Sequence, residues 1–390
     1  MQLAQFDYHL PYEYIAQLPV RPRDQSKLMF IDRKASKIFH HHFFDLPTLL
    51  PKDSVLVLNN TKVFPARLIG RKDTGGKVEV LLVKQIGSQT WQVFSKPGIN
   101  LNQKLYFSKT DHSISKYISL LAQGLRLATA KPTHQEFEPI LSAQVTQKNN
   151  RWGITTICFE QKPDTIFDLI HKIGKMPLPP YIKPPKPGAK AGAQERDIFG
   201  YYQTIYAQHS GSVAAPTAGF HFTDNLFKSI KNLGIEHYFV TLHVGPGTFL
   251  PVRPGLIEKH LMHSEWYEIS QQTCDALNKA KKQGKKIISV GTTTTRVLES
   301  AVNEKLLKPS KGTTNMFIYP PYKFKFVDGM ITNFHLPKST LLMLVSSFVS
   351  QPNTNQPFES FEKSLVGIAY QKAIKNNYRF YSFGDAMLII

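Results

Sequence analysis

Several histidines and one glutamate in the C-terminal half have the types and spacing that proton transfer requires. His243 precedes a turn that contains Gly245, and His260, His263 and Glu265 follow in one short segment. An imidazole near a carboxylate is a candidate general base. Two imidazoles three residues apart also suit a metal, but there is no HExxH pattern and no third ligand, so we predict no metal site. The alternative for His243 is a histidine that is hydrogen-bonded within the core.

A row of hydroxyl groups followed by a cation forms a second candidate site. Thr292 to Thr295 are consecutive threonines, and Arg296 follows them near a predicted helix start. Such a row could hold a phosphate or a carboxylate, although helix capping alone explains one of the threonines. The chain has no GxGxxG and no GxxxxGK[ST] sequence. No motif therefore supports the binding of a dinucleotide or of a nucleoside triphosphate.

Polar segments follow four predicted strands, which must position them. The segments are residues 59–62, 243–247, 291–296 and 333–340. In an open α/β sheet, ligands bind in the crevice beyond the carboxyl ends of the strands. We therefore expect the four segments to converge on one polar pocket. A fifth segment, residues 214–222, precedes a predicted helix, where free backbone N–H groups favour an anion.

The alternation of strands and helices predicts the fold class. Residues 55–58 are a continuous apolar run, as expected of a strand that is covered on both faces. In the C-terminal half the predicted strands are residues 239–244, 287–290 and 326–332, and the predicted helices follow caps at Thr223, Ser270 and Ser339 or begin near Val297. This alternation predicts an α/β fold in which helices cover a sheet built from strand–loop–helix units.

The segment between the two halves has a different character. Its short β-rich runs are broken by Gly75-Gly76 and Pro97-Gly98. This pattern predicts a small, mostly β inserted domain. We place it at residues 68–160, between the two parts of a discontinuous α/β domain formed by residues 1–67 and 161–390. The proline-rich residues 176–188 are typical of an extended linker or a surface loop.

The charge balance indicates a polyanionic partner. The chain has 390 residues with 48 Lys and Arg against 28 Asp and Glu, which gives a formal charge of +20. This excess favours a nucleic acid first and an anionic membrane surface second, while the alternative is that it only maintains solubility. Hydrophobic residues at 42% and aromatic residues at 12% exclude a disordered polycation. The protein is therefore expected to be folded with a basic exterior.

Other sequence features bear on location. No apolar run that we find approaches the roughly 18 residues that a membrane helix needs. Asp7 and His9 stand where a secretory signal would have its apolar stretch. Cys158 and Cys274 lie far apart and form neither a disulfide framework nor a CxxC pair. We expect a cytoplasmic protein without a membrane span.

Long ordered blocks connect the chain with one enzyme family. They are GSVAAPTAGFHFT, FVTLHVGPGTF, MHSEWYEI, GTTTTR, TNFHLPKSTLLMLVSSF and YRFYSFGDAMLI, preceded by NNTKVFPARL, GGKVEVLL and MPLPPYI. From Phe6 to its last residues, the chain resembles the S-adenosylmethionine:tRNA ribosyltransferase-isomerases of queuosine biosynthesis. The resemblance implies an α/β domain interrupted by a small β-barrel. The family usually has GTTSVR at residues 291–296, so Thr295 replaces an apolar side chain.

The resemblance also implies a reaction and its partners. The substrate is tRNA that carries 7-aminomethyl-7-deazaguanine at the wobble position, and the co-substrate is S-adenosylmethionine. Its ribosyl part is transferred and isomerised, which gives epoxyqueuosine-tRNA with release of adenine and methionine. The positive sulfur acidifies the adjacent 5′ carbon, so a modest base can start the loss of adenine. We expect a monomer that uses no metal.

Site residues follow from the matching positions. Those expected to transfer protons are His243, His263 and Glu265. Those expected to contact the substrate are Asn60, Thr217, His221, Gly245, Gly247, Trp266, Tyr267, Thr292, Thr293, Arg296, Asn333, His335 and Ser339. Apart from the resemblance, the cationic residues Lys62, Arg67, Arg71 and Lys72 could contact tRNA phosphates, although a solvated face is the commoner explanation for any single one.

Two other functions remain open on the sequence. One is an S-adenosylmethionine-dependent RNA methyltransferase, which would need a glycine-rich loop after its first strand and an acid after the next; neither is evident. The other is a non-catalytic protein that binds tRNA through its basic surface. Such a protein would not require polar loops clustered at the strand ends.

Overall fold

A computed structural model describes residues 1–109, 139–149, 153–183, 200–245, 247, 252 and 255–390. The chain divides into two units, one made of residues Met1–Lys62 and Leu178–Ile390 and the other of residues Val63–Pro177. The second unit extends beyond the predicted residues 68–160 on both sides. Within it, the backbone of Arg67 exchanges two hydrogen bonds with Lys175 at 3.0 and 2.8 Å, which joins the segment after residue 160 to the first barrel strand.

The strands of the described residues are β1 (Lys27–Asp32), β2 (Lys37–His42), β3 (Ser54–Asn59), β4 (Thr61–Val63), β5 (Arg67–Lys72), β6 (Lys77–Gln85), β7 (Thr90–Lys96), β8 (Lys104–Phe107), β9 (Leu141–Asn149), β10 (Ile154–Phe159), β11 (His209–Ser212), β12 (Glu236–Leu242), β13 (Glu265–Ile269), β14 (Lys286–Val290), β15 (Val302–Asn303), β16 (Leu306–Leu307), β17 (Ser310–Thr314), β18 (Gly329–Asn333) and β19 (Ala386–Ile389). The α-helices are α1 (Leu46–Leu49), α2 (Pro163–Ile173), α3 (Asp224–Asn232), α4 (Gln271–Lys282), α5 (Thr292–Ala301), α6 (Thr340–Phe348) and α7 (Leu365–Lys375). Short 3₁₀ helices lie at Leu3–Phe6, Tyr12–Tyr14, Arg23–Gln25, Phe43–Asp45, Thr217–His221 and Ile257–Lys259. No helix in this part of the chain is long and apolar enough to cross a membrane.

The first unit is built on a mixed sheet. Its strand order is β17-β13-β12-β3-β14-β18-β19-β1-β2. The neighbours β12, β3, β14 and β18 are parallel to one another. Their carboxyl ends therefore lie at the same edge of the sheet, as the positions of the polar segments predicted.

Helices and loops cover both faces of this sheet. Strand β3 is buried along its whole length. Its side chains alternate between two hydrophobic clusters, so that Val55 and Val57 pack on one face and Leu56 and Leu58 on the other. Each fully buried aliphatic side chain of this kind contributes about 1.5–3 kcal/mol. The predicted α/β class with a sheet covered by helices is confirmed.

The second unit contains a closed barrel. Six described strands follow the order β10-β7-β6-β5-β8-β9, and every neighbouring pair is antiparallel. Alternating side chains along β6, including Val78, Val80 and Leu82, are buried while those between them are partly or fully exposed. The predicted inserted β-barrel is confirmed.

The predicted helix caps are correct. The side chains of Thr223, Ser270 and Ser339 accept hydrogen bonds from the backbone N–H groups of Leu226, Thr273 and Leu342. Each therefore satisfies one N–H group that the first helical turn leaves unpaired.

Two predicted boundaries are wrong for local reasons. Helix α5 begins at Thr292 rather than near Val297, because Gly291 turns the chain with a φ of 90°. The predicted strand at residues 326–332 begins only at Gly329. The backbone N–H groups of Phe326 and Val327 donate to the Glu299 carboxylate at 3.0 and 3.1 Å, so they are not available to a sheet.

Candidate active site

A cleft lies at the carboxyl edge of the parallel strands. Asn59 at the end of β3 donates through Nδ2 to the Leu242 carbonyl at 3.0 Å and to Thr293 Oγ1 at 3.3 Å. It therefore connects the segments 59–62 and 291–296 and the end of β12. The predicted residues that line the cleft are Thr217, Thr292, Thr293, Asn333, His335 and Ser339. Residues of three of the four strand-end segments thus meet in the cleft, and the fourth, residues 59–62, contacts it through the bond from Asn59 to Thr293.

His243 directly follows β12 and is held on two sides. Thr61 Oγ1 lies 2.8 Å from its Nδ1, and its ring stacks on Trp266 with 4.7 Å between the ring centroids. Burial lowers the pKa of His243 to about 4, and the neighbouring His209 acts in the same direction. The imidazole is therefore neutral at pH 7 and has a lone pair that can accept a proton.

The second nitrogen of His243 faces a glycine. A Cβ atom at Gly211 would lie 2.6 Å from Nε2 and would collide with the ring. Glycine at this position therefore keeps space beside the imidazole. If Nδ1 donates its proton to Thr61, Nε2 carries a lone pair that lies in the plane of the ring, whereas Gly211 packs over the face of the ring.

Glu265 and Arg296 form a buried ion pair. Their side chains are 4% and 5% exposed, and Arg296 Nη1 donates to Glu265 Oε2. The other carboxylate oxygen accepts from the backbone N–H of Gly245 at 2.8 Å, and Arg296 Nε donates to the Met316 carbonyl at 3.0 Å. Both oxygens of Glu265 are therefore engaged within the protein. This arrangement fixes the turn after β12 and gives Glu265 an anchoring position.

His263 packs against the same turn. A Cβ atom at Gly247 would lie 2.7 Å from His263 Cδ2, so this close approach requires glycine. Burial lowers the pKa of His263, and the charge of Glu265 partly opposes the decrease. His263 and Gly247 are therefore neighbours, and their roles in the site stay predictions.

His221 lies behind the cleft wall. Asn333 Nδ2 is 3.1 Å from its Nε2, Ser26 Oγ is 2.7 Å from its Nδ1, and its ring stacks on Phe43 with 4.8 Å between centroids. Burial lowers the pKa of His221 to about 3, with contributions from the charges of two arginines. The side chain supports Asn333, which itself lines the cleft.

His335 and Ser339 contribute to the cleft in different ways. Thr332 Oγ1 lies 2.8 Å from His335 Nε2, and burial lowers the pKa of His335 to about 3. Ser339 caps α6 and donates to the Leu336 carbonyl at 2.8 Å. Its hydroxyl group is thus used within the protein, which leaves capping as its observed role.

Three other residues that were predicted to contact the substrate do not line the cleft and contact other parts of the protein. Asn60 accepts from Thr241 Oγ1 at 2.7 Å. Tyr267 belongs to the hydrophobic core, and its hydroxyl lies 2.8 Å from Ser310 Oγ. Trp266 points to the opposite face of β13 and supports His243. The structure thus brings Trp266, but not Tyr267, to the imidazole.

The threonine row is largely internal. Thr294 Oγ1 donates to the Val290 carbonyl at 2.7 Å, and Thr295 Oγ1 lies 2.8 Å from Ser289 Oγ. Thr295, which replaces an apolar residue of the family pattern, is fully buried and hydrogen-bonded. Only Thr292 and Thr293 of the row line the cleft.

The four predicted tRNA-contacting cations differ in exposure and partners. Lys62 is exposed. Arg67 pairs with Glu79 at 2.6 Å, Arg71 Nη1 donates to the Gly75 carbonyl at 2.6 Å, and Lys72 Nζ donates to the Gly98 carbonyl at 2.6 Å. Each of the three barrel cations thus contacts its own unit, and all four remain predictions as tRNA contacts.

Sequence reasoning missed two groups of residues. The first group is Thr61, which bonds to His243, and Gly211, which leaves room for its ring. No sequence pattern indicates these two residues, because neither is near His243 in the chain. The second group is Tyr181, Tyr202 and Tyr381, which line the cleft beside Ser382.

In the described part of the chain, no group of three or more His, Cys, Asp or Glu side chains is arranged to hold a metal.

The fold and the cleft define an α/β protein with an inserted barrel and a polar site at the ends of parallel strands. A sequence profile described as "Queuosine biosynthesis protein" matches residues 3–389. Enzymes named S-adenosylmethionine:tRNA ribosyltransferase-isomerase from Halothermothrix orenii and from Staphylococcus aureus strain Newman are each 44% identical, with 100% of both chains covered. The crystal structure of S-adenosylmethionine tRNA ribosyltransferase from Thermotoga maritima is 31% identical with a TM-score of 0.50, covering 99% of this chain and 100% of that chain. The chain belongs to the queuosine biosynthesis protein family, which confirms the resemblance found in the sequence.

Proposed function

We propose that this chain is an S-adenosylmethionine:tRNA ribosyltransferase-isomerase. It transfers the ribosyl part of S-adenosylmethionine to 7-aminomethyl-7-deazaguanine at the tRNA wobble position and isomerises it. The products are epoxyqueuosine-tRNA, adenine and methionine. Full-length relatives with this enzyme name support the reaction class.

One observation carries the mechanism: a neutral imidazole stands at the carboxyl ends of the parallel strands. His243 has one nitrogen beside Thr61 Oγ1, and Gly211 leaves room for the ring by packing against its face without a side chain. We assign it as the base that removes a proton from the 5′ carbon next to the sulfonium. The electron pair left on that carbon forms a C4′–C5′ double bond as the C4′–O4′ bond breaks, and the freed O4′ forms a carbonyl at C1′ as the bond from C1′ to adenine breaks. The imidazolium can return the proton to the departing purine.

The surrounding residues position the base and the co-substrate. With Nδ1–H donating to Thr61 Oγ1, Nε2 is the nitrogen that accepts the proton, and Trp266 fixes the plane of the ring. The Glu265–Arg296 pair holds the backbone of Gly245, two residues after the base. Glu265 therefore acts as a positioning residue in this scheme rather than as the base.

The partners follow from the same proposal. The substrate is a tRNA, and the charge of +20 supports the attraction of its phosphates. Lys62 is exposed and is available for a phosphate contact. We further propose that the enzyme works in the cytoplasm as a monomer.

Product analysis tests the proposal against its alternatives. The protein is incubated with S-adenosylmethionine and tRNA that carries the precursor base, and the small products are identified. Adenine and methionine together are the expected result. S-adenosylhomocysteine would show a methyltransferase instead, and binding of the tRNA without turnover would show a non-catalytic tRNA-binding protein.

A further inference from the structure

Two threonines of the cleft have hydrogen-bond directions that the protein fixes. Asn59 Oδ1 accepts from the backbone N–H groups of Thr61 and Leu242 at 3.1 and 3.0 Å, so its Nδ2 must point the other way. Nδ2 donates to the Leu242 carbonyl at 3.0 Å and to Thr293 Oγ1 at 3.3 Å. Because Thr293 accepts this bond, its own hydroxyl proton is left to donate into the cleft.

The opposite direction is imposed on Thr217. Asn333 Nδ2 faces the Asp385 carbonyl at 3.4 Å, which can only accept, and His221 Nε2 at 3.1 Å. Asn333 Oδ1 is therefore the acceptor for Thr217 Oγ1 at 2.9 Å. Since the proton of Thr217 is used in this bond, its hydroxyl oxygen offers only lone pairs to the cleft.

The donor and the acceptor belong to the same cleft. A Cβ atom at Gly291 would be 3.6 Å from Thr293 Oγ1 and 3.7 Å from the Cβ of Ala218, the residue after Thr217. Both threonines line the cleft. The cleft thus presents one hydrogen-bond donor and one acceptor.

We propose that Thr217 and Thr293 read the edge of the adenine ring of S-adenosylmethionine. The exocyclic amino group donates to Thr217 Oγ1, and the adjacent ring nitrogen accepts from the Thr293 hydroxyl. The apolar side chains of Pro216 and Leu341, which line the cleft, fit a flat purine better than a polar ribose diol. This assignment rests on the proposed function and adds the residues that select the base.

This proposal gives His221 a role in the site. It accepts from Asn333 Nδ2 and, through Nδ1, donates to Ser26 Oγ at 2.7 Å. A neutral imidazole with its proton on Nδ1 is required for this arrangement. His221 and Ser26 are therefore positioning residues that keep Asn333, and through it Thr217, in one orientation.

The test compares two ribosyl donors. S-adenosylmethionine and S-inosylmethionine differ at position 6, where an oxygen that can only accept replaces the amino donor, and at the adjacent N1, which carries a proton in the inosyl donor and can no longer accept from Thr293. We measure kcat/KM for release of each purine with precursor-bearing tRNA. The wild-type protein should prefer the adenosyl donor by about 10- to 100-fold, because the inosyl donor leaves Thr217 facing another acceptor.

Matched variants locate the preference. Thr217→Val and Thr293→Val should each lower kcat/KM for the adenosyl donor about tenfold or more, mainly through KM, and each should reduce the preference by about threefold or more, because each removes one of the two mismatches with the inosyl donor. Thr217→Ser and Thr293→Ser retain the hydroxyl group and should behave like the wild type, which controls for folding.

Other results would overturn the assignment. These are equal use of both donors by the wild-type protein, an unchanged preference in a folded Thr217→Val protein, or loss of activity with 2′- or 3′-deoxyribosyl donors alongside full use of the inosyl donor. If the wild-type protein releases no adenine from S-adenosylmethionine, the proposed function itself is wrong. The outcomes for the function and for the purine contacts are therefore distinct.

Discussion

Two neighbouring polar groups at the strand ends are built in opposite ways. Glu265 and Arg296 are both charged, buried and paired with each other. His243 is neutral, and only one of its nitrogens has a protein partner in the described part of the chain. The residue after Glu265 is Trp266, which stacks on His243, so the two groups meet along one strand.

The difference separates positioning from reaction. A carboxylate that took a proton from a substrate would lose its charge and with it the buried ion pair with Arg296. A neutral imidazole with a free nitrogen loses no such interaction. Sequence reasoning placed His243, His263 and Glu265 together as proton-transfer residues, and the geometry favours His243 while giving Glu265 an anchoring position.

Replacing the base should have the largest effect. We expect His243→Gln to lower kcat/KM for adenine release by about a thousandfold, since a positioned base contributes about 10²–10⁴-fold. Its melting temperature should change little. The control is His237→Gln, on the same strand but at its other end, where the imidazole packs against Phe227 and Phe239. Turnover by His243→Gln within about threefold of the wild type would remove His243 from the mechanism.

Breaking the ion pair should mainly affect stability. We expect Glu265→Gln to lower the free energy of unfolding by about 3 kcal/mol, because it leaves the Arg296 charge buried without its counterion. Urea unfolding measures the change. The control is Glu268→Gln, three residues later on β13, where an exposed pair with Lys311 at 3.7 Å should contribute less than about 1 kcal/mol. Equal losses in the two variants would show that the buried pair has no special structural role.

The buried neutral imidazoles should make stability depend on pH. Burial lowers the pKa values of His221 and His335 to about 3, against 6.5 for an ordinary histidine. The unfolded chain therefore binds more protons between these values, and the free energy of unfolding should fall as the pH drops below about 6.5. Each histidine can contribute up to about 1.4 kcal/mol per pH unit.

Urea unfolding at several pH values measures this slope. His335→Gln should reduce the slope, whereas His9→Gln should leave it unchanged because His9 is exposed. A slope that is the same in all three proteins would mean that other groups produce the acid sensitivity.

The arrangement of the site could be predicted from the sequence because it follows from the sheet. Apolar runs such as residues 55–58 end in polar segments, and parallel strands bring such ends together. The roles of individual side chains could not be predicted in the same way. Thr61 meets His243 across 182 positions in the chain, and no local pattern indicates that contact.

Local sequence patterns also do not determine which way some side chains point or where some elements begin. Trp266 and Tyr267 are adjacent in sequence, and strand alternation sends one to His243 and the other into the core. The start of α5 at Thr292 depends on the positive φ of Gly291. A glycine in the sequence allows such a φ but does not show that the chain adopts it. The carboxylate of Glu299 keeps Phe326 and Val327 out of β18 through contacts that are 27 and 28 residues apart in sequence.

The position of β19 has a consequence for biosynthesis. The hairpin of β1 and β2 joins the sheet through β19, with Leu28 opposite Ala386 and Ile31 opposite Ile389. The ribosome makes this hairpin among the first segments, yet its partner strand emerges more than 350 residues later. Pairings between such distant segments form slowly, and an unpaired strand edge can aggregate while it waits. During translation, the hairpin is therefore the part of this fold that depends most on protection by chaperones.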